Sequence, residues 1–262
     1  MSLHHACKGL KIRGFYHIAL MPTRIALVLR GHIRDSFSND GLRRFLGHVA
    51  NDPRLCVHLY MQTWEYQEAS MECSWRELKD ATQAAVTSEM LRAYVPIPAH
   101  GTRILRECDA ALVGRVDGTV GGTSKLGWKR MWYGIFTIMN DIRNGGFVYD
   151  RVVSLRFDFF GAYVTGRHVE DYGRVVSAEE LAEWVANADD QSISFLADHA
   201  CTGIDNCYTG PTAAVFTLCA CFHLNLERTC AAVGCEYNQE KMVFKMSMDL
   251  CNRTPTVPLT EC

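Results

Sequence analysis

The stretch that decides the fold is RIALVLRGHIR, residues 24–34. Its apolar run from Ile25 to Leu29 is typical of a β-strand that is buried on both faces of a parallel sheet. A glycine, two arginines and a histidine follow directly. Within residues 39–50, the next apolar side chains recur at helical spacing, at Leu42, Phe45, Leu46 and Val49. The stretch therefore predicts a buried strand, a polar loop and a helix.

The same alternation continues along the chain. Further strands are predicted at residues 55–60, 90–98, 148–155 and 192–197, a polar loop at 198–210, and helices at 125–143, 177–186, 212–226 and 236–250. Strands that alternate with helices form mostly parallel sheets, so the expected fold class is α/β with helices flanking a central sheet. We assign one domain to residues 23–251, an N-terminal leader or arm to 1–22 and a C-terminal tail to 252–262.

Composition limits the possible partners. The 262 residues carry a formal net charge of -2, which supplies no overall field for nucleic acid or an anionic membrane. The apolar stretches are shorter than the roughly 20 residues that cross a bilayer. Residues 1–21 lack the continuous apolar core of a signal peptide. We therefore expect a soluble, cytoplasmic protein with no transmembrane segment and no nucleic-acid partner.

Cysteine is abundant but dispersed. The twelve cysteines form no CxxC pair, and most are expected to be reduced, buried side chains. The densest group also includes a histidine and comprises Cys201, Cys207, Cys219, Cys221, Cys230, Cys235 and His223. Structural zinc usually needs two close ligand pairs, which this group lacks. A zinc-stabilised interaction domain is nevertheless kept as a third hypothesis.

Ligands of parallel sheets bind beyond the carboxyl ends of the strands, which directs attention to residues 31–34, 63–64 and 156–158. A glycine lets backbone N–H groups approach a ligand, and the cations at Arg30 and Arg34 suit a phosphate or diphosphate ahead of a helix. The alternative is a solvated turn in which these arginines pair with nearby aspartates. The GxxxxGK[ST] phosphate loop is absent.

Two further segments carry carboxylates. Asp158 follows the buried strand at 148–155, and it can be a ligand of Mg²⁺ or Mn²⁺ on a diphosphate or the partner of Arg156 in an internal salt bridge. Asp198 and Asp205 lie in the polar loop before the helix at 212–226, and each can be a general base or a turn residue. A serine hydrolase is disfavoured because no G-x-S-x-G occurs.

Taken in order, these segments resemble glycosyltransferases encoded by large algal (chlorella) viruses, with more distant bacterial surface-polysaccharide relatives. The resemblance runs from about Arg24 to Leu250. Its matching segments are residues 25–34, YMQTW at 60–64 and YDRVVSLRFD at 149–158, with polar positions also matched at Asp205-Asn206, Gly210-Pro211 and Glu240.

The resemblance implies a GT-A fold with three layers, in which the N-terminal half holds the nucleotide and the C-terminal half holds the acceptor. The mid-chain motif of such enzymes is D-x-D, whose carboxylates hold a divalent cation on the donor diphosphate. Here Arg156 occupies the first acidic position. Asp158 is therefore the expected ligand of Mn²⁺ or Mg²⁺, while Arg156 offsets part of the phosphate charge.

The implied activity is transfer of a sugar from a nucleotide-sugar donor to a glycan or glycoprotein acceptor, in viral capsid or surface glycan synthesis. A UDP-sugar such as UDP-xylose is the candidate donor. An inverting mechanism needs a carboxylate base, for which Asp205 is the first choice and Asp198 the second; a retaining mechanism would need none. The expected donor contacts are Arg30, Gly31, His32, Arg34, Thr63, Trp64, Arg156 and Asp158.

Two alternatives stay open. Trp64 and Trp132 can stack on the base or a sugar, or they can belong to the core, as large aromatic side chains more often do. The competing functional hypothesis is a non-catalytic nucleotide-sugar or glycan-binding module, in which the same loops hold a ligand but no base is placed.

Overall fold

The computed structural model describes residues 21–70, 84–197, 203–233 and 239–252. The strands in these ranges are β1 (Thr23–Arg30), β2 (Leu55–Trp64), β3 (Ala99–Leu105), β4 (Thr119–Val120), β5 (Thr123–Ser124), β6 (Arg151–Arg156), β7 (Ser194–Phe195) and β8 (Cys207–Gly210). The helices are α1 (Gly41–Asn51), α2 (Ser88–Tyr94), α3 (Lys125–Asn144), α4 (Ala162–Tyr172), α5 (Ala178–Asn187), α6 (Thr212–Leu224), α7 (Leu226–Val233) and α8 (Gln239–Asn252).

The central sheet has six strands in the order β3-β2-β1-β6-β8-β7, and β4 and β5 form a separate hairpin. Strands β3, β2, β1 and β6 are parallel, whereas β8 runs antiparallel to β6 and β7 antiparallel to β8. The predicted α/β class and mostly parallel sheet are confirmed. The chain leaves β1 towards β2 and β3 and later returns to β6 on the other side of β1. This reversal creates a switch point between β1 and β6, where ligands of such sheets bind.

The apolar run of β1 accounts for its central position. All of its residues from Ile25 to Leu29 are completely buried, which requires that helices cover both faces of the sheet. Helix α1 packs against α5 and β2, and α3 packs against α6, β2 and β3. Within the described ranges, no helix has both the length and the apolar character that crossing a membrane demands.

Several predicted helices are confirmed, with shifts of a few residues at their ends: α1, α3, α5, α6 and α8. Helix α5 begins with the expected capping box, in which the Ser177 side chain accepts from the Glu180 N–H and the Glu180 carboxylate accepts from the Ser177 N–H. The helix predicted to end at residue 226 instead ends at Leu224, and α7 follows directly. Helix α4 was not predicted.

The strand prediction at 90–98 is wrong. Residues 88–94 form α2, because Thr87 caps this segment by accepting a hydrogen bond from the Met90 N–H at 3.2 Å. The edge strand β3 begins only after Pro98, at Ala99. The polar loop prediction is also wrong in its last part, because residues 207–210 form the buried strand β8.

The predicted loop at residues 63–64 is part of β2. Thr63 pairs with Ile104 and Trp64 with Leu105, so the strand continues through its polar residues with its backbone hydrogen-bonded to β3. Other predictions fall on residues outside the described ranges: most of the leader, most of the tail, and the candidate base Asp198 with its neighbour His199.

Gly134 in the middle of α3 lies against the buried side chain of Gln62 in β2. A Cβ atom at position 134 would stand 2.6 Å from Gln62 Oε1. The same oxygen accepts a hydrogen bond from the Gly31 N–H at 3.4 Å. The missing side chain thus lets α3 pack closely beside the carboxyl end of β2, next to the loop that follows β1.

We expect Gly134→Ala to lower the free energy of unfolding by about 1–3 kcal/mol, because the added methyl group displaces Gln62 in a packed interior. Gly47→Ala is the matched control, since Gly47 is also helical but has no atom within 4 Å of its Cβ position. That variant should gain about 0.5–1 kcal/mol from helix propensity. Urea unfolding of both variants tests the prediction. Equal changes in the free energy of unfolding of the two variants would contradict it.

Candidate functional site

A cavity of about 130 Å³ lies beyond the carboxyl ends of β1, β2 and β6. Side chains from the loop after β1, the loop after β6, the first turns of α3 and the turn before β8 line it. The structure brings most of the predicted site residues together in this wall: Arg30, Gly31, His32, Arg34, Trp64, Arg156, Asp158 and Asp205.

Thr63 is the predicted contact that does not line this cavity. Thr63 is completely buried. Successive side chains of a strand point to opposite faces of the sheet, so Thr63 faces away from the side that Trp64 occupies. The apolar pattern of the sequence predicts a strand that ends at Tyr60, whereas β2 continues to Trp64, and this difference accounts for the position of Thr63.

Arg30, the last residue of β1, is buried with 2% of its surface exposed. Its Nε donates to Ser154 Oγ at 2.7 Å, its Nη2 donates to the carbonyl oxygen of Asp205, and its guanidinium carbon lies 5.4 Å from the centre of the Tyr208 ring. All of these partners are neutral. No carboxylate of the described residues forms an ion pair with Arg30. A buried cation without a counterion is costly, so this position favours an anion in the cavity.

Asp158 is buried and is held by two arginines. Arg156 donates to both carboxylate oxygens, from Nε to Oδ1 and from Nη2 to Oδ2, each at 2.8 Å. Arg34 also donates from Nη1 to Oδ2. Burial disfavours the charge on Arg156, but the adjacent Asp158 carboxylate outweighs it and raises the pKa of Arg156 above its usual value. The salt bridge considered in the sequence analysis is therefore formed.

The divalent cation expected at Asp158 stays a prediction. In the arrangement observed, both oxygens of Asp158 accept hydrogen bonds from guanidinium groups, so a cation there would share the carboxylate with arginine. Within the described ranges, no three or more His, Cys, Asp or Glu side chains are grouped so as to hold a metal ion.

The loop after β1 has an unusual backbone. Gly31 has φ of +87° and Arg34 has φ of +46°, a left-handed conformation that is uncommon for a residue with a side chain. Arg34 is fixed there by its N–H, which donates to the Gln67 carbonyl at 3.0 Å, and by its Nε, which donates to Glu68 at 3.2 Å. These contacts, with the bond to Asp158, hold the Arg34 side chain at the cavity despite the backbone strain.

A second charged group includes two residues that the sequence analysis missed, Glu107 and Arg130. Arg130 Nη1 donates to Glu107 Oε2 at 2.6 Å, and His32 Nε2 lies 3.4 Å from Glu107 Oε1. Burial acts to raise the pKa of Glu107, but hydrogen bonds from His32 and Ser70 lower it to about 2. Glu107 is therefore ionised and its charge is balanced. It lies two residues after the end of β3, so predicting that strand would have pointed to it.

The aromatic residues divide between the cavity and the core. Trp64 lines the cavity, and its ring stacks with that of His32 with the centroids 5.9 Å apart. Trp132 lies in the core, completely buried and stacked on Phe222 at 4.6 Å. Trp128 was not proposed from the sequence, yet it lines the cavity, and its buried indole N–H has no hydrogen-bond acceptor among the described residues.

Asp205 differs from the other acidic residues of the cavity. Its backbone carbonyl accepts from Arg30, but its half-buried carboxylate makes no hydrogen bond or ion pair within the described ranges. The next residue, Asn206, is fixed by Arg156 Nη1 at 3.0 Å and by the Tyr172 hydroxyl at 2.9 Å. The turn is thus held firmly while the Asp205 carboxylate stays available to a ligand.

A larger groove of about 740 Å³ lies between α1 and α5, near the amino end of β2. Its charged side chains pair with one another: Arg44 and His48 with Glu179, and Arg54 with Asp52 and Glu183. Because these charges are balanced and the groove lies away from the strand carboxyl ends, we place the candidate site in the smaller cavity.

The cysteines of the zinc hypothesis are only partly described, because Cys201 and Cys235 lie outside the described ranges. Cys207 and Cys219 are completely buried, and burial raises the pKa of each thiol to about 12. Metal binding requires the thiolate, so these two side chains are poor zinc ligands as they stand.

Comparison of the chain with protein-family models, with curated proteins and with solved structures finds no match.

We expect Asp158→Asn to lower the free energy of unfolding by about 3–5 kcal/mol, because it leaves two arginines beside a neutral amide in a buried site. The chain supplies a matched control in Arg115 and Asp117, which have the same Arg-x-Asp spacing and are paired at 2.7 Å on the surface. Asp117→Asn should leave the urea unfolding midpoint unchanged, since solvent screens an exposed pair. Equal effects of the two substitutions would contradict the interpretation of Asp158.

Proposed function

We propose that this chain is a glycosyltransferase that moves a sugar from a nucleotide-sugar, a UDP-sugar in the first instance, to a glycan acceptor. The observation that carries the proposal is the buried Arg30 guanidinium, which has no carboxylate partner among the described residues and lies at the switch point between β1 and β6. The diphosphate of such a donor would provide the anion that this position favours.

The cavity is suited to the diphosphate more than to the whole donor. Pockets that enclose entire small molecules usually measure about 300–1,000 Å³, against about 130 Å³ here. We infer that the diphosphate occupies the enclosed part, between Arg30 and the Gly31 backbone, with Arg156 and Arg34 beyond it. The nucleoside and the sugar would then extend across the open mouth, near the stacked rings of Trp64 and His32.

In this proposal Asp205 is the general base. Its unpaired carboxylate can take the proton of the acceptor hydroxyl as that oxygen attacks the anomeric carbon, with inversion. The bond from the anomeric carbon to the diphosphate oxygen breaks, and arginine stabilises the departing negative charge. A divalent cation held by Asp158 would neutralise part of the charge of the same diphosphate.

Two further expectations belong to the same proposal. The mostly parallel sheet with a switch point beside β1 is compatible with the GT-A arrangement that the resemblance implies. The resemblance to glycosyltransferases of algal viruses also supports a role in capsid or surface glycan synthesis.

The second candidate is a nucleotide-sugar-binding module without catalysis. The balanced ion pairs of Asp158 and Glu107 fit this hypothesis as well as they fit an enzyme, because they only shape the cavity. The unpaired Asp205 carboxylate favours the enzyme, because binding an anionic ligand gains nothing from a free negative charge nearby.

Measuring the release of UDP or GDP from a panel of nucleotide-sugars tests the proposal, with and without Mn²⁺. We expect the wild-type protein to release the nucleotide from at least one donor. Asp205→Asn should lower this turnover by about 10²-fold or more, the usual contribution of a general base, while donor affinity changes little.

Asp109→Asn serves as the control, because Asp109 is an exposed aspartate, and it should keep wild-type turnover. Binding of a donor without release of nucleotide by any variant would favour the non-catalytic module. Normal turnover by Asp205→Asn would move the base to Asp198.

A further inference from the structure

Glu240, in the first turn of α8, holds the turn that carries Asp205. Its Oε1 accepts a hydrogen bond from the Gly203 N–H at 2.8 Å. Gly203 has φ of +72°, and a Cβ atom there would lie 2.8 Å from the Cβ of Asp171 in α4. Helices α4 and α8 therefore meet on the backbone of this turn, two residues before the proposed base.

Three carboxyl groups converge on this turn, those of Glu240, Asp205 and Asp171. Asp171 is buried, and its Oδ1 lies 3.7 Å from Arg167 Nη2, the cation that faces the group from α4. Arg156 also lies near Asp205, but Asp158 already neutralises its charge. The described residues thus place more negative than positive charge around Gly203.

This surplus of negative charge affects the pKa of Glu240. Burial raises its pKa to about 8, and the charges of Asp205 and Asp171 act in the same direction, whereas the Gly203 N–H and Arg167 oppose them. The direction of this shift favours the protonated carboxyl group. A protonated Glu240 still offers an oxygen to the Gly203 N–H, but it adds no negative charge beside Asp205.

We propose that Glu240 is a positioning residue whose carboxyl group, by accepting from the Gly203 N–H, holds the turn 203–206 so that the Asp205 carboxylate faces the cavity. Its effect on catalysis rests on the proposed function, whereas its effect on the turn does not. Ionised Glu240 repels Asp205 and loosens the turn. High pH therefore weakens the positioning of the Asp205 carboxylate by ionising Glu240.

The direction of the pH effect on stability follows from the difference in bound protons between the folded and the unfolded chain. Between the ordinary glutamate pKa and about 8, the folded chain keeps a proton on Glu240 that the unfolded chain releases. The contribution of Glu240 to stability is therefore complete at low pH and is lost as the pH rises through this interval. One proton corresponds to a change of up to about tenfold in the folding equilibrium constant per pH unit.

The experiment compares urea unfolding of the wild-type chain and Glu240→Gln from pH 5 to pH 9. Glutamine keeps the acceptor for the Gly203 N–H and cannot ionise. We expect the wild-type equilibrium constant to lose several-fold more per pH unit than that of the variant. Glu89→Gln, at an exposed site, should follow the wild type. Asp205→Asn should move the wild-type pH dependence to lower pH, because it removes one repelling charge.

Nucleotide release over the same pH range completes the test. The wild-type rate should fall above about pH 8, while Glu240→Gln keeps its rate to higher pH. Coincident stability profiles for the wild type and Glu240→Gln would overturn the proposal, as would an Asp205→Asn profile that does not move. Separate profiles without nucleotide release from any donor would support the role of Glu240 in the turn and would refute the proposed function instead.

Discussion

The guanidinium group of Arg30 joins the parts of the sheet on which the candidate site depends. It extends from the end of β1 to Ser154 in β6, to the backbone of Asp205 and to the ring of Tyr208 in β8. Its charge is buried without a carboxylate partner among the described residues. Structural arginines in a core are usually neutralised, as Arg156 is by Asp158. We therefore infer that the unbalanced charge of Arg30 serves to bind an anionic ligand in the cavity.

The sequence was sufficient for the elements with strong local patterns. The uninterrupted apolar run of Ile25–Leu29 predicted the central strand, and the spacing of apolar residues predicted α3 and α6. Strand β3 was missed because it lies at the sheet edge, where its partly exposed residues AHGTRIL show no continuous apolar run. Strand β8 has only four residues, including a glycine, and its strand character comes from pairing with β6, more than 50 residues away.

The site residues that directly follow a single predicted strand could be predicted from the sequence. Those that are brought together from distant segments of the chain were harder to predict. The rule that ligands bind at strand carboxyl ends located Arg30, Arg34 and Asp158. The choice between a metal ligand and a salt bridge at Asp158 was not decided by spacing, because Arg34 joins it from 124 residues away. Predicting Glu107 as a site residue required strand β3, which was missed. The hydrogen bond between Glu240 and Gly203 depends on the packing of α8. Such contacts arise from tertiary structure and leave no local pattern.

Titration of inorganic diphosphate into the wild-type chain and Arg30→Gln, at one fixed ionic strength, tests the central claim most directly. Glutamine keeps a hydrogen-bond donor and removes the charge, and Arg103→Gln, at an exposed ion pair with Asp141, is the control. The account predicts that wild type and control bind diphosphate alike, and that Arg30→Gln binds it about tenfold or more weakly, as expected for loss of a charged hydrogen bond. Equal affinity of wild type and Arg30→Gln, or no binding by the wild type, would contradict it.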